Sequence, residues 1–286
     1  MKQNKYFLEL SPEQRSRPSL TVIIPTLNES VYLPRLLDAL CQQTRQADEI
    51  IVADAGSTDG TAELAKKRGA RVIHGGLPAV GRNAGAREAN GDYLLFLDAD
   101  VVPPPDFIAC LIAGFEQRDF DIATCFITAL DENPLDWVIC EGTNLYFWIT
   151  LPVSPHVPGF CIISKRDKHE GLGGFDEALT LSENIDYARR AKRVGRFGII
   201  TSARIPVSMR RIGKEGLVGL GLKYAWCEIH AFAGKPVRNP PFAYEFGKFL
   251  DDQSTMHRSL INTDLFHQPL RRMGETFQRV SNLIRR

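Results

Sequence analysis

Apolar residues in this chain fall into short unbroken runs that alternate with stretches of helical periodicity. LTVIIP at 20–25 and DEIIVAD at 48–54 are continuous, β-branched runs. Such runs mark strands buried on both faces. Between them, Leu33, Leu36, Leu37 and Leu40 recur at helical spacing. TAELAKKRG follows the second run: Thr58 or Asp59 is placed to cap this helix, Glu63 to face Lys67, and Gly69 to end it. ARVIHG predicts a third strand, AVGRNAGAREAN a third helix and DYLLFLD a fourth strand. Strand and helix in strict alternation predict right-handed βαβ units. The expected fold class is therefore α/β, with a mostly parallel central sheet and helices on both faces.

Beyond Pro103 the pattern loosens. DFIACLIAGFEQ reads as a helix, DIATCFITAL and PGFCIISKR as strands, and HEGLGGFDE as a glycine-rich turn. SENIDYARRAKRVG reads as a helix and FGIITSARIPVSMRRIG as one strand or a bent pair. LDWVICEGTNLYFWITLP fits neither period. From Gly216 onward the chain reads as mostly helical. The expected division is a loose tail at 1–17, a folded unit at 18–215, and a helical C-terminal extension at 216–286.

At 286 residues, a core of good size is available: about three quarters of the unfolded surface can be buried at this length. The net charge of +1 provides no field to attract nucleic acid, so none is expected as a partner. Six single cysteines without a CxxC pair point to buried free thiols in a reducing compartment, not to zinc or a redox dithiol. The polar stretch at 1–19 lacks the apolar region of a signal peptide. The most apolar stretch, 145–163, is interrupted by Pro152, Pro155, His156 and Pro158, and so does not suit a spanning helix of about 20 residues. A cytoplasmic location is expected.

Chemistry concentrates where strands end. Ligands of parallel α/β sheets bind at the carboxyl ends of the strands. Three polar turns gather there: TLNES, DAGSTDG and DADVVPPPD. The last places Asp98 and Asp100 two residues apart, so both project to one side. Like charges resist burial side by side. A hard divalent cation bridging them to a substrate diphosphate would remove the conflict. Alone, a DxD of this kind is more often a solvated turn. No GxGxxG follows a strand and no GxxxxGK[ST] occurs, so phosphates would need the metal and a few cations.

LTVIIPTLNES, IIVADAGSTDGT, GRNAGAREANGDYLLFLDADVVPPPDFI and the later GGFDE, in this order and spacing, resemble the family-2 glycosyltransferases with the GT-A fold. The likeness covers roughly residues 19 to 212. It implies a nucleotide-diphosphate-sugar donor, Mn²⁺ or Mg²⁺, and an acceptor nucleophile on a glycan or a lipid-linked carrier, with cell-envelope glycans or glycolipids as natural products. It implies a nucleotide-binding half at 18–102 and an acceptor half at 103–215. Pro25, Thr26, Asn28 and Glu29 would line the nucleoside, with Glu29 near the ribose. Asp54 would read the base; a carboxylate suits the N–H of uracil or guanine, not adenine. Arg82 would sit near base or phosphates, and Asp98 and Asp100 would hold the metal. Taken singly, Asn28 also reads as a helix cap, Asp54 as a turn and Arg82 as a surface ion pair.

Two departures from the family stand out. Its acidic pair after GGFDE usually supplies the catalytic base as an aspartate, but this chain has SENIDYARR, with Asn184 at that position. Asn cannot act as a base. Glu183 is the first candidate and Asp186 the second; Asp186 equally suits a structural pairing with Arg189 or Arg190. Many relatives also supply a late histidine to the metal. Here the region reads PVSMRRIG, and Arg210 and Arg211 are the expected diphosphate clamp.

Tyr146, Phe147 and Trp148 should flank the acceptor site, stacking on sugar, facing lipid or filling core. From Ser254 onward, six arginines against two acids give +4, with apolar residues Leu270, Met273, Phe277, Val280 and Ile284 near helical spacing. This basic segment suits either a peripheral contact with the inner face of the plasma membrane or packing on the catalytic unit. The expected activity is inverting sugar transfer from a UDP-sugar before a GDP-sugar, with Asn184 leaving a retaining mechanism open. The alternative, motivated by Asn184, is a degenerate transferase that binds without turnover. A nucleotidyltransferase is disfavoured because TLNES lacks a glycine-rich basic loop.

Overall fold

In a computed structural model, residues 17–131 and 133–232 are described. The expected tail up to residue 16 and the basic segment after Ser254 lie outside them. The order is β1 (Leu20–Thr26), α1 (Leu33–Cys41), β2 (Glu49–Asp54), α2 (Thr61–Lys67), β3 (Arg71–His74), α3 (Pro78–Glu88), β4 (Tyr93–Leu97) and α4 (Phe107–Gln117). Then come β5 (Ile122–Ala129), α5 (Pro134–Thr150), β6 (Cys161–Lys165), α6 (Arg166–Gly171), α7 (Glu183–Val194), β7 (Phe197–Val207), α8 (Arg210–Glu215) and α9 (Leu217–Phe232).

The strands form one sheet in the order β3-β2-β1-β4-β6-β5-β7. β1 is parallel to β2 and β4, and β2 to β3, as strict alternation requires. The sheet is mixed beyond β4: β6 runs antiparallel to both β4 and β5. Because β6 is antiparallel to β5, the β5–α5–β6 connection enters β6 from the end of the sheet at which β5 stops. β5 and β7 are parallel again, with a register break at Cys125/Phe126 that bends β7.

The α1 leucines are all buried, as their spacing predicts. Gly69 ends α2 with a positive φ of 86°. α2 has no side-chain cap on its N-cap residue Gly60, but Asp59 still accepts from the Thr61 N–H at 3.0 Å. α3 packs on β1 through Gly85, where a Cβ would overlap the Ile23 side chain. The ambiguous aromatic stretch is α5, begun by Asn133, whose side chain accepts from the Leu135 N–H at 3.0 Å. The stretch PVSMRRIG is not a continuation of strand: β7 stops at Val207 and α8 begins at Arg210. Of the six free thiols, four are buried; Cys41 on the outer side of α1 is exposed and Cys110 is half-buried, which corrects the expectation of uniformly buried thiols.

Two apolar clusters hold the layers. One joins β1, β4, β5 and β7 to α1 and α4 through residues such as Ile24, Leu97, Phe107 and Ile205. The other joins the opposite face to α3 and α7 through Ile23, Phe96, Phe175 and Tyr187. Together they fix the carboxyl ends of β1 and β4 side by side, where the polar turns converge.

Candidate active site

A cavity of about 670 Å³ opens at this edge. Pro25, Thr26 and Glu29 enter from the β1 turn, Arg82 from α3, Asp98 and Asp100 from the β4 turn, Glu183 and Asn184 from α7, and Arg210 and Arg211 from α8.

Two guanidiniums organise the charge. Arg82 is 2% exposed. Its Nη1 donates to Glu183 Oε1 at 2.8 Å and its Nη2 to Asp98 Oδ1 at 2.8 Å. The same Nη2 reaches the Gly159 carbonyl at 3.4 Å, and the guanidinium lies 5.5 Å from the Phe175 ring centre. Burial pulls the Arg82 pKa down, but Asp98 and Glu183 more than offset this, so it remains a cation. Gly159 is needed here because a Cβ would stand 2.8 Å from Arg82 Nη2.

Arg210 makes the second cage. Its Nη1 and Nη2 hold Glu29 in a bidentate pair at 2.8 and 2.7 Å, and its Nε donates to Asp100 Oδ2 at 2.9 Å. Its guanidinium stacks 4.3 Å from the Tyr32 ring centre. These carboxylates raise the Arg210 pKa in spite of its burial. Burial pushes the Glu29 carboxyl up to about 6, against Arg210, with Asp100 and Asp98 adding to the rise. Burial likewise raises Asp100, aided by Asp98 and opposed by Arg210. Arg211 and Lys223 also line the cavity and share Glu215, at 3.2 and 2.8 Å.

Four carboxylates (Glu29, Asp98, Asp100, Glu183) thus face two caged guanidiniums, leaving two negative charges in excess within the cages. All the donors are hard oxygens, which suits Mg²⁺ or Mn²⁺. The arginines take one oxygen of each aspartate, Oδ1 of Asp98 and Oδ2 of Asp100. Among the described residues no group of three or more His, Cys, Asp or Glu side chains is arranged to hold a metal. A cation here would be held by the two aspartates with oxygens from elsewhere.

Three sequence candidates do not reach the cavity wall. Asp54 is buried in its own turn, accepting from the Gly56 and Ser57 N–H groups at 3.1 and 2.9 Å, from Ser57 Oγ at 2.5 Å and from Thr26 Oγ1 at 3.1 Å. A short side chain at a strand end satisfies its own loop first. Asn28 adopts the left-handed φ of 55° and ties two turns together, accepting from the Thr58 N–H at 2.9 Å and donating its own N–H to Ser57 Oγ at 2.8 Å. Asp186 pairs with Arg190 at 2.7 Å, one turn along α7, the structural pairing the sequence allowed. Of the two acidic candidates Glu183 alone is aimed inward: it opens α7, just after Ser182 with its left-handed φ of 63°, and is held by Arg82.

The wall also holds Gly76, Leu77, Pro78 and His156, which sequence reasoning missed, beside the expected Tyr146 and Phe147. Gly76, Leu77 and Pro78 line it between β3 and α3; the Gly-Gly pair ahead of Pro78 was the available signal. His156 is buried, with Nε2 at 2.7 and 2.8 Å from the two Glu228 oxygens and its ring stacked on Phe147 at 5.7 Å. Tyr146 is pushed up to about 12, by burial first and then by Glu228. This end of the cavity, formed by α5, the turn before β6 and α9, is mainly apolar: Ile139, Val157, Leu181, Leu220 and Tyr224 face it.

Comparison with known proteins places the chain among its relatives. The family model described as "Glycosyl transferase family 2" matches residues 21–170, a little over half of the chain. A glycosyltransferase, GlyG, of Streptococcus pneumoniae is 25% identical over 247 residues, covering 84% of this chain and 64% of its own. An undecaprenyl-phosphate 4-deoxy-4-formamido-L-arabinose transferase of Pseudomonas fluorescens is 36% identical over 116 residues, 36% of this chain and 34% of the relative. The chain therefore spans under two thirds of these relatives. In three dimensions it is similar to glucosyl-3-phosphoglycerate synthase from Mycobacterium tuberculosis, solved with Mn²⁺, UDP and glucosyl-3-phosphoglycerate. That likeness has a TM-score of 0.56 at 19% identity and covers 78% of this chain and 82% of that one. A mannosyltransferase from Pyrobaculum calidifontis, solved with GDP-Man and Mn²⁺, gives 0.54 at 22% identity, covering 73% and 65%. The fold is the one these enzymes share, and the chain belongs to glycosyl transferase family 2.

Proposed function

We propose that this chain transfers a sugar from a nucleotide-diphosphate sugar to an acceptor nucleophile, with inversion, at the acid-rich end of the cavity. The observation that carries the reading is the convergence of Glu29, Asp98, Asp100 and Glu183 on two buried guanidiniums at the carboxyl ends of β1 and β4. A divalent cation at Asp98 and Asp100 would supply charge to the departing diphosphate. The nucleoside fits between the β1 turn and Gly76–Pro78, where Pro25, Thr26 and Leu77 offer walls. A uridine donor is preferred over guanosine: S. aureus TarS and the glucosyl-3-phosphoglycerate synthase, both similar in fold, are solved with UDP or a UDP-sugar, against the mannosyltransferase with GDP-Man.

The chain's own residues then divide the work. Arg210 and Arg211, on one turn of α8, supply cations for the diphosphate; Arg210 exchanges part of its carboxylate cage for phosphate oxygens. Glu183 accepts the acceptor proton, since Asn184 beside it has no basic atom. Arg82 holds Glu183 and Asp98 at fixed separation, so the base and the aspartate pair move as one unit. One carboxylate acting as base on the face opposite the leaving group gives a single displacement and inversion.

A second reading, binding without turnover, is favoured by one observation: Glu183 is itself engaged by Arg82 at 2.8 Å. Incubating the full chain with UDP-glucose, UDP-N-acetylglucosamine and GDP-mannose with Mn²⁺ separates the two. Release of UDP or GDP that disappears in Glu183→Gln and Asp100→Ala supports transfer. Tight UDP binding with no release from any donor, alone or with acceptor extracts, supports binding only.

A further inference from the structure

The helices on the open side of the cavity bury apolar side chains inward and leave others, equally large, outside. On α1 the leucines face inward, as in most helices of a globular fold. On α5, Cys140 and the polar Asn144 do so. Asn144 donates to the Ile127 carbonyl at 2.8 Å and accepts from its N–H at 2.9 Å, and Glu141 pairs with Arg204. Leu145, Trp148 and Ile149, at i, i+3 and i+4, are left outside, Ile149 at 59% exposure. Val153, in the turn that follows, is 84% exposed. On α9, Glu228 turns in to His156 and Lys223 to Glu215. Its outer side carries Leu217, Gly221, Leu222, Ala225 and Ile229, with Leu222 and Ile229 at 68% and 67% exposure. Apolar exposure gathered on one side of a fold marks a contact surface.

Its surroundings identify the contact. Lys192 and Arg193, exposed in the last turn of α7, stand beside the apolar tip of α5: Lys192 Nζ donates to the Leu151 carbonyl at 2.6 Å and also to that of Pro152. Val194 next to them is exposed as well. Apolar residues framed by lysine and arginine, with tryptophan and tyrosine at the border, match an anionic lipid interface. The surface is also continuous with the apolar end of the cavity, because Tyr146 and Tyr224 belong to both. Among the described residues no helix is long and apolar enough to cross a membrane, so the contact would lie in the plane of the interface.

We propose that the outer sides of α5 and α9, with the 151–153 turn and the end of α7, form a monotopic docking face for an anionic lipid bilayer. The cavity then opens toward the membrane, and an acceptor with an apolar tail enters along α5 and α9. The acceptor part rests on the sugar-transfer reading above; the docking does not.

The test is co-sedimentation of the full chain with phosphatidylglycerol–phosphatidylethanolamine vesicles, against phosphatidylcholine vesicles. Wild type should partition to the anionic vesicles. The double substitutions Trp148→Glu/Ile149→Glu and Leu222→Glu/Ile229→Glu should each lower partition by about tenfold or more. Lys192→Glu/Arg193→Glu should remove the preference for anionic lipid. Val153→Glu, in a turn, serves if a helical pair fails to keep its melting transition. UDP binding by calorimetry should be unchanged in all of them, so a failed donor site would show separately as no UDP binding with docking intact. The proposal is overturned if wild type ignores both vesicles or if the variants bind as wild type does. It is equally overturned if the variants change the molecular mass by light scattering, which would make a second copy the occupant. New protease sensitivity in residues 233–286 of the variants would assign the face to the chain's own C-terminal segment.

Discussion

At the donor end of the cavity, Arg82 and Arg210 are wrapped in carboxylates drawn from the β1 turn, the β4 turn and the start of α7. At the other end, α5 and α9 meet through Glu228, His156 and Tyr146 among rings and aliphatic side chains. The first region carries two more carboxylates than guanidiniums. The second exposes more apolar surface than its helices need for packing. The two ends thus differ in opposite senses, one acid-rich and one apolar, and the proposals above assign the first to a cation-bound donor and the second to an apolar partner.

Substitutions sharpen this contrast. The largest effect is expected from Arg82→Met, which strands Asp98 and Glu183 without their shared cation. Removing one partner of a buried pair costs about 3–5 kcal/mol, so urea denaturation should show a loss of that order. Next, Asp100→Ala should lower kcat/KM for donor turnover by about 10²–10³, the scale of losing one electrostatic contact to a developing charge, while changing stability far less. Tyr146→Phe at the apolar end should leave donor KM unchanged and act on acceptor use alone; a comparable loss in donor binding would erase the distinction between the ends.

A smaller effect concerns pH. Burial raises Glu29 from 4.5 to about 6, so between these values the folded protein holds a proton that the unfolded chain has released. The contribution of Glu29 to stability must then fall as pH rises through that window. Melting curves of wild type and Glu29→Gln across it should therefore diverge, with wild type losing stability relative to the variant. His169 has the opposite sense: burial lowers its pKa to about 4, so the neutral ring is stabilising above about 6.5 and this is lost as pH falls toward 4. The smallest effect is expected from Leu222→Glu, on an outward face; its stability should change by no more than about 0.5 kcal/mol. A larger loss would mean that this face is covered by protein.

The first half of the fold was legible because its signals are local. Runs such as LTVIIP and the leucine spacing of α1 each specify one element, and short loops leave parallel pairing as the connection. The convergence of Glu29, Arg82, Asp98 and Glu183 was legible only through the combined motifs, since no single one fixes a position in space. What escaped depends on tertiary partners. α5 has no readable amphipathic period because Asn144 and Glu141 are satisfied inside and Trp148 and Ile149 lie outside. β6 runs antiparallel, and nothing in CIISK records direction. Asp54 looked like a ligand-reading carboxylate, yet its own turn takes both its oxygens. His156 gave no sign at all, because its partner Glu228 lies 72 residues away.

The central claim is that the caged carboxylates at the β1 and β4 ends bind a nucleotide diphosphate together with a divalent cation. Titration calorimetry of UDP into the full chain, with Mn²⁺ and then with EDTA, tests it most directly, alongside Asp100→Ala. The account predicts binding that requires Mn²⁺ and is lost in the variant. UDP binding of equal strength in EDTA, retained by Asp100→Ala, would contradict it.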